Sequence, residues 1–135
     1  MFKTVIEYCY DGYHDIRVDI DSFIGLQQQL EKIKKETMGI FTAPFSVDVV
    51  IDEIGRISIA LDETTMLCYK SADLEFQLTA IGDLAAEGYA TVYFGDYSIM
   101  SKKYLISYNL ALDILDFWIN TGKLSDQVSW TDKIF

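Results

Sequence analysis

The chain has 135 residues, the size of one domain, and half of them are hydrophobic with a single proline, which excludes a disordered or low-complexity composition. Its 21 acidic residues outnumber 11 basic ones, for a formal net charge of -10, and a field of that sign repels phosphates and anionic lipid. Direct nucleic-acid binding and membrane attachment are therefore not expected. Two cysteines without metal-ligand spacing, an N-terminus without an apolar signal core and no apolar run of about 18 residues point to a cytoplasmic protein with reduced thiols.

Residues 3–10 and 14–20 alternate as two paired strands around Asp11-Gly12. A three-residue loop from Asp11 to Tyr13 sets Tyr10 opposite His14, Tyr8 opposite Ile16, Ile6 opposite Val18 and Thr4 opposite Ile20, which builds one apolar face. A two-residue loop would put Glu7 opposite Ile16 and spoil that face. Asp21 or Ser22 can cap a helix running to about Thr37, with Phe23, Leu26, Leu30 and Ile33 on its apolar side. Lys32, Lys34 and Lys35 lie near its end, where the helix dipole favours cations. Gly39 to Pro44 reads as a connection, because Pro44 biases Ala43 away from helix.

A second hairpin follows, in which Phe45, Val47, Val49 and Ile51 alternate inward and Ile57, Ile59 and Leu61 do the same. Gly55 suits the left-handed position of a three-residue loop, Glu53-Ile54-Gly55. That register pairs Ile51 with Ile57 and Asp52 with Arg56, making Arg56 a cross-strand ion partner. Residues 66–70 and 73–81 read as further strands, Asp83 to Gly88 as a turn or short helix, Tyr89 to Gly95 as a strand, and Tyr97 to Met100 as a continuation of the sheet.

The last long element is a helix from about Ser107, its N-cap, to a glycine stop at Gly122. Leu110, Ala111, Ile114, Phe117 and Trp118 form one apolar stripe, and Tyr108, Leu112, Leu115 and Ile119 the next. Asn109, Asp113, Asp116 and Asn120 recur at offsets of four, three and four, so at about 100° per residue they share one narrow polar face. The order strand, strand, helix, several strands, helix and short tail predicts an α+β fold. Its expected form is a mostly antiparallel sheet of about five to seven strands with two helices packed against it, in one domain over residues 1–135.

Catalytic chemistry has little to build on. His14 is the only histidine, and neither a P-loop nor a dinucleotide fingerprint occurs. Asp52-Glu53, Asp62-Glu63 and Asp113 with Asp116 are carboxylate pairs of the kind that serve glycosidases or hold magnesium, yet a chain this acidic places pairs on solvated surface by composition alone. No cofactor or metal is expected, and the chain reads as a non-enzyme. Trp118, Trp130, Tyr93, Phe94, Tyr97, Tyr104, Tyr108 and Phe135 crowd the C-terminal part, and aromatics beside carboxylates are the composition of a protein-binding surface. The partner-binding candidates are Asp96, Tyr97, Asn109, Asp113, Asp116 and Asn120.

The C-terminal block adds a resemblance. Tyr93-Phe94-Gly95, an aliphatic helix with Ala111 and Phe117-Trp118, then Thr121-Gly122-Lys123-Leu124 and Val128-x-Trp130, resembles the first-numbered family of bacterial immunity proteins, which guard against polymorphic toxins. The likeness is clearest over residues 89–130, with Ile54 to Ile59 as a suitably placed hairpin upstream. Ser125 and Thr131 stand where that family's pattern has proline and an acid. The resemblance implies a cytosolic antidote that binds a cognate toxin domain, often a nuclease or nucleic-acid deaminase with a basic site, and occludes it without turnover. The alternatives are a small carboxylate-based enzyme or ligand-binding domain, and an acidic adaptor subunit.

Overall fold

Two serines start the two helices. Ser22 Oγ accepts from Gly25 N–H at the head of α1 (Phe23–Thr37), and Ser107 Oγ accepts from Leu110 N–H at the head of α2 (Tyr108–Thr121). Gly122 ends α2 in the left-handed conformation at φ 74°, donating to Trp118 O, as a C-terminal glycine does without a Cβ penalty. In this computed structural model, which describes residues 1–9, 13–93 and 96–133, the helices accompany strands β1 (Thr4–Tyr8), β2 (Ile16–Ile20), β3 (Ser46–Ile51), β4 (Gly55–Ala60), β5 (Thr64–Thr65), β6 (Leu67–Ser71), β7 (Gln77–Ile81), β8 (Tyr89–Tyr93), β9 (Tyr97–Ser101), β10 (Ile106–Ser107) and β11 (Ser129–Thr131).

Seven strands form one antiparallel sheet in the order β11-β7-β6-β4-β3-β1-β2. Its covered face meets both helices in one core: Ile6, Val49, Ile51, Ile57, Ile59 and Leu67 from the sheet, Leu26, Leu30 and Ile33 from α1, and Ala111, Ile114, Leu115, Trp118 and Ile119 from α2. The predicted α+β class and helix caps hold. Phe117 departs from its expected stripe and is 38% exposed, because the core covers α2 on the Ile114, Trp118 and Ile119 side.

The first hairpin has the expected register, with Thr4 opposite Ile20, Ile6 opposite Val18 and Tyr8 opposite Ile16. The Tyr10 pairing and the Asp11-Gly12 turn lie outside the described residues. In the second hairpin the register slips by two: Ile51 pairs with Gly55, Val50 with Arg56 and Val49 with Ile57. Gly55 is a strand residue because β6 passes close by, and a Cβ built on it would lie 2.3 Å from Lys70 O. The slip preserves the inward face, since a shift of two leaves side chains on the same side. It moves Arg56 from Asp52 to other partners.

Residues 73–76 turn instead of extending a strand. Leu74 adopts φ 63°, and the Asp73 carboxylate accepts from Ser71 Oγ and Glu75 N–H. β8 and β9 do not continue the sheet but form a separate hairpin. Tyr93 N–H donates to Pro44 O, and Val92 packs with Ala60, Met66 and Tyr104 in a second small core. β5 and β10 pair with each other beneath the start of α2, and β11 adds the far edge strand with Trp130 opposite Ala80. No helix among the described residues is long and apolar enough to cross a membrane.

Candidate functional site

Strand alternation sends every second side chain to the sheet face that carries no helix, and the registers line these residues up in rows. One row runs Arg17, Glu7, Asp48, Ser58, Cys68, Thr79, each directly opposite the next. A second runs Asp19, Val5, Val50, Arg56, Lys70, Gln77. Glu7 opposite Asp48 is a like-charge pair that would destabilise the sheet if left alone. Arg56 resolves it, since Nη1 reaches Asp48 Oδ2 at 2.9 Å and Glu7 Oε1 at 3.2 Å. Arg17 Nη1 holds the other Glu7 oxygen at 2.7 Å, and Ser58 Oγ donates to Asp48 Oδ1. Burial opposes the Arg56 charge, but hydrogen bonds and charges from Asp48 and Glu7 outweigh it and raise the guanidinium further above its ordinary value.

A concavity of about 430 Å³ opens over these rows, lined by Glu7, Asp48, Ser46, Ser58 and Lys70 and walled by Met100 of β9. Its size lies in the range of small-molecule sites, roughly 300 to 1,000 Å³. Its chemistry is quiet: Glu7 and Asp48 already accept from guanidinium or hydroxyl donors, and burial pushes the Cys68 thiol up despite a bond from Thr79 and the charge of Lys70. A thiol held in that form is a weak nucleophile. No group of three or more metal-ligating side chains occurs among the described residues.

The β8–β9 hairpin has two faces of different character. Ala90, Val92 and Met100 turn inward to the second core. The opposite face carries Tyr89, Thr91, Tyr97 and Ile99, placed together by the pairs Thr91 with Ile99 and Tyr93 with Tyr97. On it Tyr89 is 69%, Ile99 73% and Tyr97 48% exposed. Anchored aromatics that stay open to solvent are a protein-binding composition. The anchoring is visible in a ring chain: Tyr97 meets Tyr93 edge-on at 5.0 Å, Tyr93 lies 4.5 Å from Phe41, and Phe41 stacks on Phe45 at 5.1 Å.

The sequence candidates divide between two places. Asp96 and Tyr97 sit at the hairpin tip, where Tyr97 Oη accepts from Thr42 N–H at 3.5 Å and Asp96 is exposed. Asn109, Asp113 and Asn120 are exposed along α2 and Asp116 is half-buried, its carboxylate accepting from Asn120 Nδ2 at 2.9 Å. That helix ends at Gly122 against Ile54 and Phe2, by the β3–β4 turn, whereas Tyr97 sits by the connection that leads into β3. Asn120, beside Gly122, therefore lies by the other end of β3 from Tyr97. Tyr89, Thr91 and Ile99 are additions from the structure, signalled in the sequence only by the alternation of Tyr89-Ala90-Thr91-Val92-Tyr93. Phe94 and Gly95 lie outside the described residues.

The chain matches no protein-family model and no curated protein sequence.

Proposed function

We propose that the chain is an immunity protein: a stoichiometric, non-catalytic inhibitor that binds a cognate bacterial toxin domain with a basic, nucleic-acid-directed site and occludes it. The observation that carries this reading is the solvent-exposed Tyr89, Tyr97 and Ile99 face, with Tyr97 packed edge-on against Tyr93 and Asp96 exposed beside it. A net charge of -10 supports it, because a negative surface speeds encounter with a basic partner and matches it electrostatically. The resemblance over residues 89–130 supports it as well. Its glycine and tryptophan have structural duties, Gly122 closing α2 and Trp130 Nε1 donating to Ser125 O as β11 joins the sheet.

The test is bacterial survival. A candidate toxin domain encoded beside this chain is expressed alone, with the wild-type protein, and with a Tyr97→Ala/Ile99→Lys variant. Rescue by the wild type and not by the folded variant is the expected result. Equal killing in all three arms refutes the inhibitor reading.

The concavity favours a second reading, a small-ligand domain using the Glu7 and Asp48 carboxylates. Asp48→Asn separates the two. It abolishes ligand binding under the second reading and leaves rescue intact under the first.

A further inference from the structure

β2 is an edge of the seven-stranded sheet, and its outer side receives no backbone hydrogen bond from the described residues. Its sequence, Ile16-Arg17-Val18-Asp19-Ile20, is β-branched on the covered face and charged on the open face. Ile16 and Val18 are only half-buried there, whereas Ile6, Val49 and Ile57 on the interior strands are 0% exposed. The apolar layer thus runs out to the edge, where Ile20 is buried and Ile16 and Val18 are left partly uncovered. Edges that must stay single are commonly blunted by charge, proline or a bulge; residues 16–20 have neither proline nor a bulge, and their only charges, Arg17 and Asp19, are of opposite sign.

We propose that this edge recognises a second copy of the same chain, with β2 pairing antiparallel to β2 about a two-fold axis at Val18. In that register Val18 meets Val18, Ile16 meets Ile20, and Arg17 meets Asp19 on both sides of the axis. Asp19 is exposed and has no ion pair among the described residues, so Arg17 of the second copy supplies its cation. Within residues 16–20 the complementarity is specific to one register. Centring on residue 17 sets arginine against arginine, centring on residue 19 sets aspartate against aspartate, and the odd registers set charged side chains against apolar ones. Directly opposed residues in an antiparallel pair share a face, so the Val18-centred dimer keeps both apolar layers on one side and both charged rows on the other. The interface is isologous and closes on itself.

The experiment is sedimentation velocity on the full chain from about 1 to about 500 μM, at about 0.15 M salt, where a Debye length near 8 Å limits the repulsion of two acidic copies. The wild type is expected to shift from monomer to dimer across that range. Arg17→Asp or Asp19→Arg alone turns two attractive pairs repulsive and weakens dimerisation about tenfold or more. The swapped variant Arg17→Asp/Asp19→Arg restores the pairs with reversed polarity and regains the dimer. Because the swap also loses the Arg17 to Glu7 contact, recovery cannot be credited to that contact. Should a single variant fail to fold, amide exchange on the wild type decides, since the β2 amides that face away from β1 slow with concentration only if the edge is covered. A wild type monomeric at every concentration, a swap that stays monomeric, or β2 amides insensitive to concentration overturns the proposal.

Discussion

Glu7 and Asp48 show how single residues set the character of the open face. Opposed on β1 and β3, they are accommodated side by side because Arg56 bonds both and Arg17 and Ser58 take the remaining positions. Arg56→Met is expected to cost about 1 kcal/mol at neutral pH, a charged hydrogen bond's worth discounted for a side chain 38% exposed. Glu7→Gln in the same background returns part of it by removing the repulsion, and urea unfolding of the four-member cycle measures the coupling. Tyr108 offers a pH signature. Burial, reinforced by the charge of Glu31, pushes its phenol up to about 12, above an ordinary value near 10. The fold holds the neutral form, so this contribution is whole below about pH 10 and is lost as pH rises through about 12. Its hydroxyl is buried without a hydrogen-bond partner among the described residues, so Tyr108→Phe changes neutral-pH stability by less than about 1 kcal/mol and removes that alkaline loss. Trp118 is the contrasting case: fully buried and edge-on to Tyr69 at 6.3 Å, its replacement by alanine costs roughly 3 to 5 kcal/mol in thermal or urea unfolding.

At the scale of elements, what could be read from the sequence was local. Ser22, Ser107 and Gly122 act within one turn of their own helix, and the alternation of Thr4 to Tyr8 with Ile16 to Ile20 fixes its own register. What could not be read depends on distant chain. Gly55 looks like a turn residue until Lys70 O of β6 closes over it, and β8 looks like a sheet strand until Val92 finds Met66 and Tyr104. Gly55→Ala is accordingly expected to destabilise beyond the roughly 1 kcal/mol of an ordinary glycine exchange, because backbone must move as well as φ, here +154°. The interface candidates were half legible for the same reason. Helical periodicity collects Asn109, Asp113, Asp116 and Asn120 on one face, but only the pairing of β8 with β9 brings Tyr89 and Ile99 to Tyr97. The two surfaces make separable predictions. Tyr97→Ala/Ile99→Lys is expected to weaken binding of the proposed toxin partner more than about tenfold, with stability lowered only by about 1 kcal/mol for the lost Tyr97–Tyr93 ring contact. If α2 also contacts the basic partner, Asp113→Lys/Asp116→Lys does the same, and unchanged affinity removes that helix from the interface.

For the whole molecule, one sheet divides two kinds of surface: a face closed by both helices and a face left open, overhung by the β9 side chain Met100. Stability resides in the first, and the proposed recognition surface is neither face but the β8–β9 hairpin beside the second. With a charge of -10 spread over the chain, association with a basic partner is expected to slow as salt rises while dissociation changes little. The decisive measurement is a titration of a neighbouring candidate toxin domain's activity with this protein. Inhibition that falls linearly to completion at one equivalent, and is lost with Tyr97→Ala/Ile99→Lys, is the result expected of a stoichiometric inhibitor. Full toxin activity in the presence of excess folded protein would contradict it.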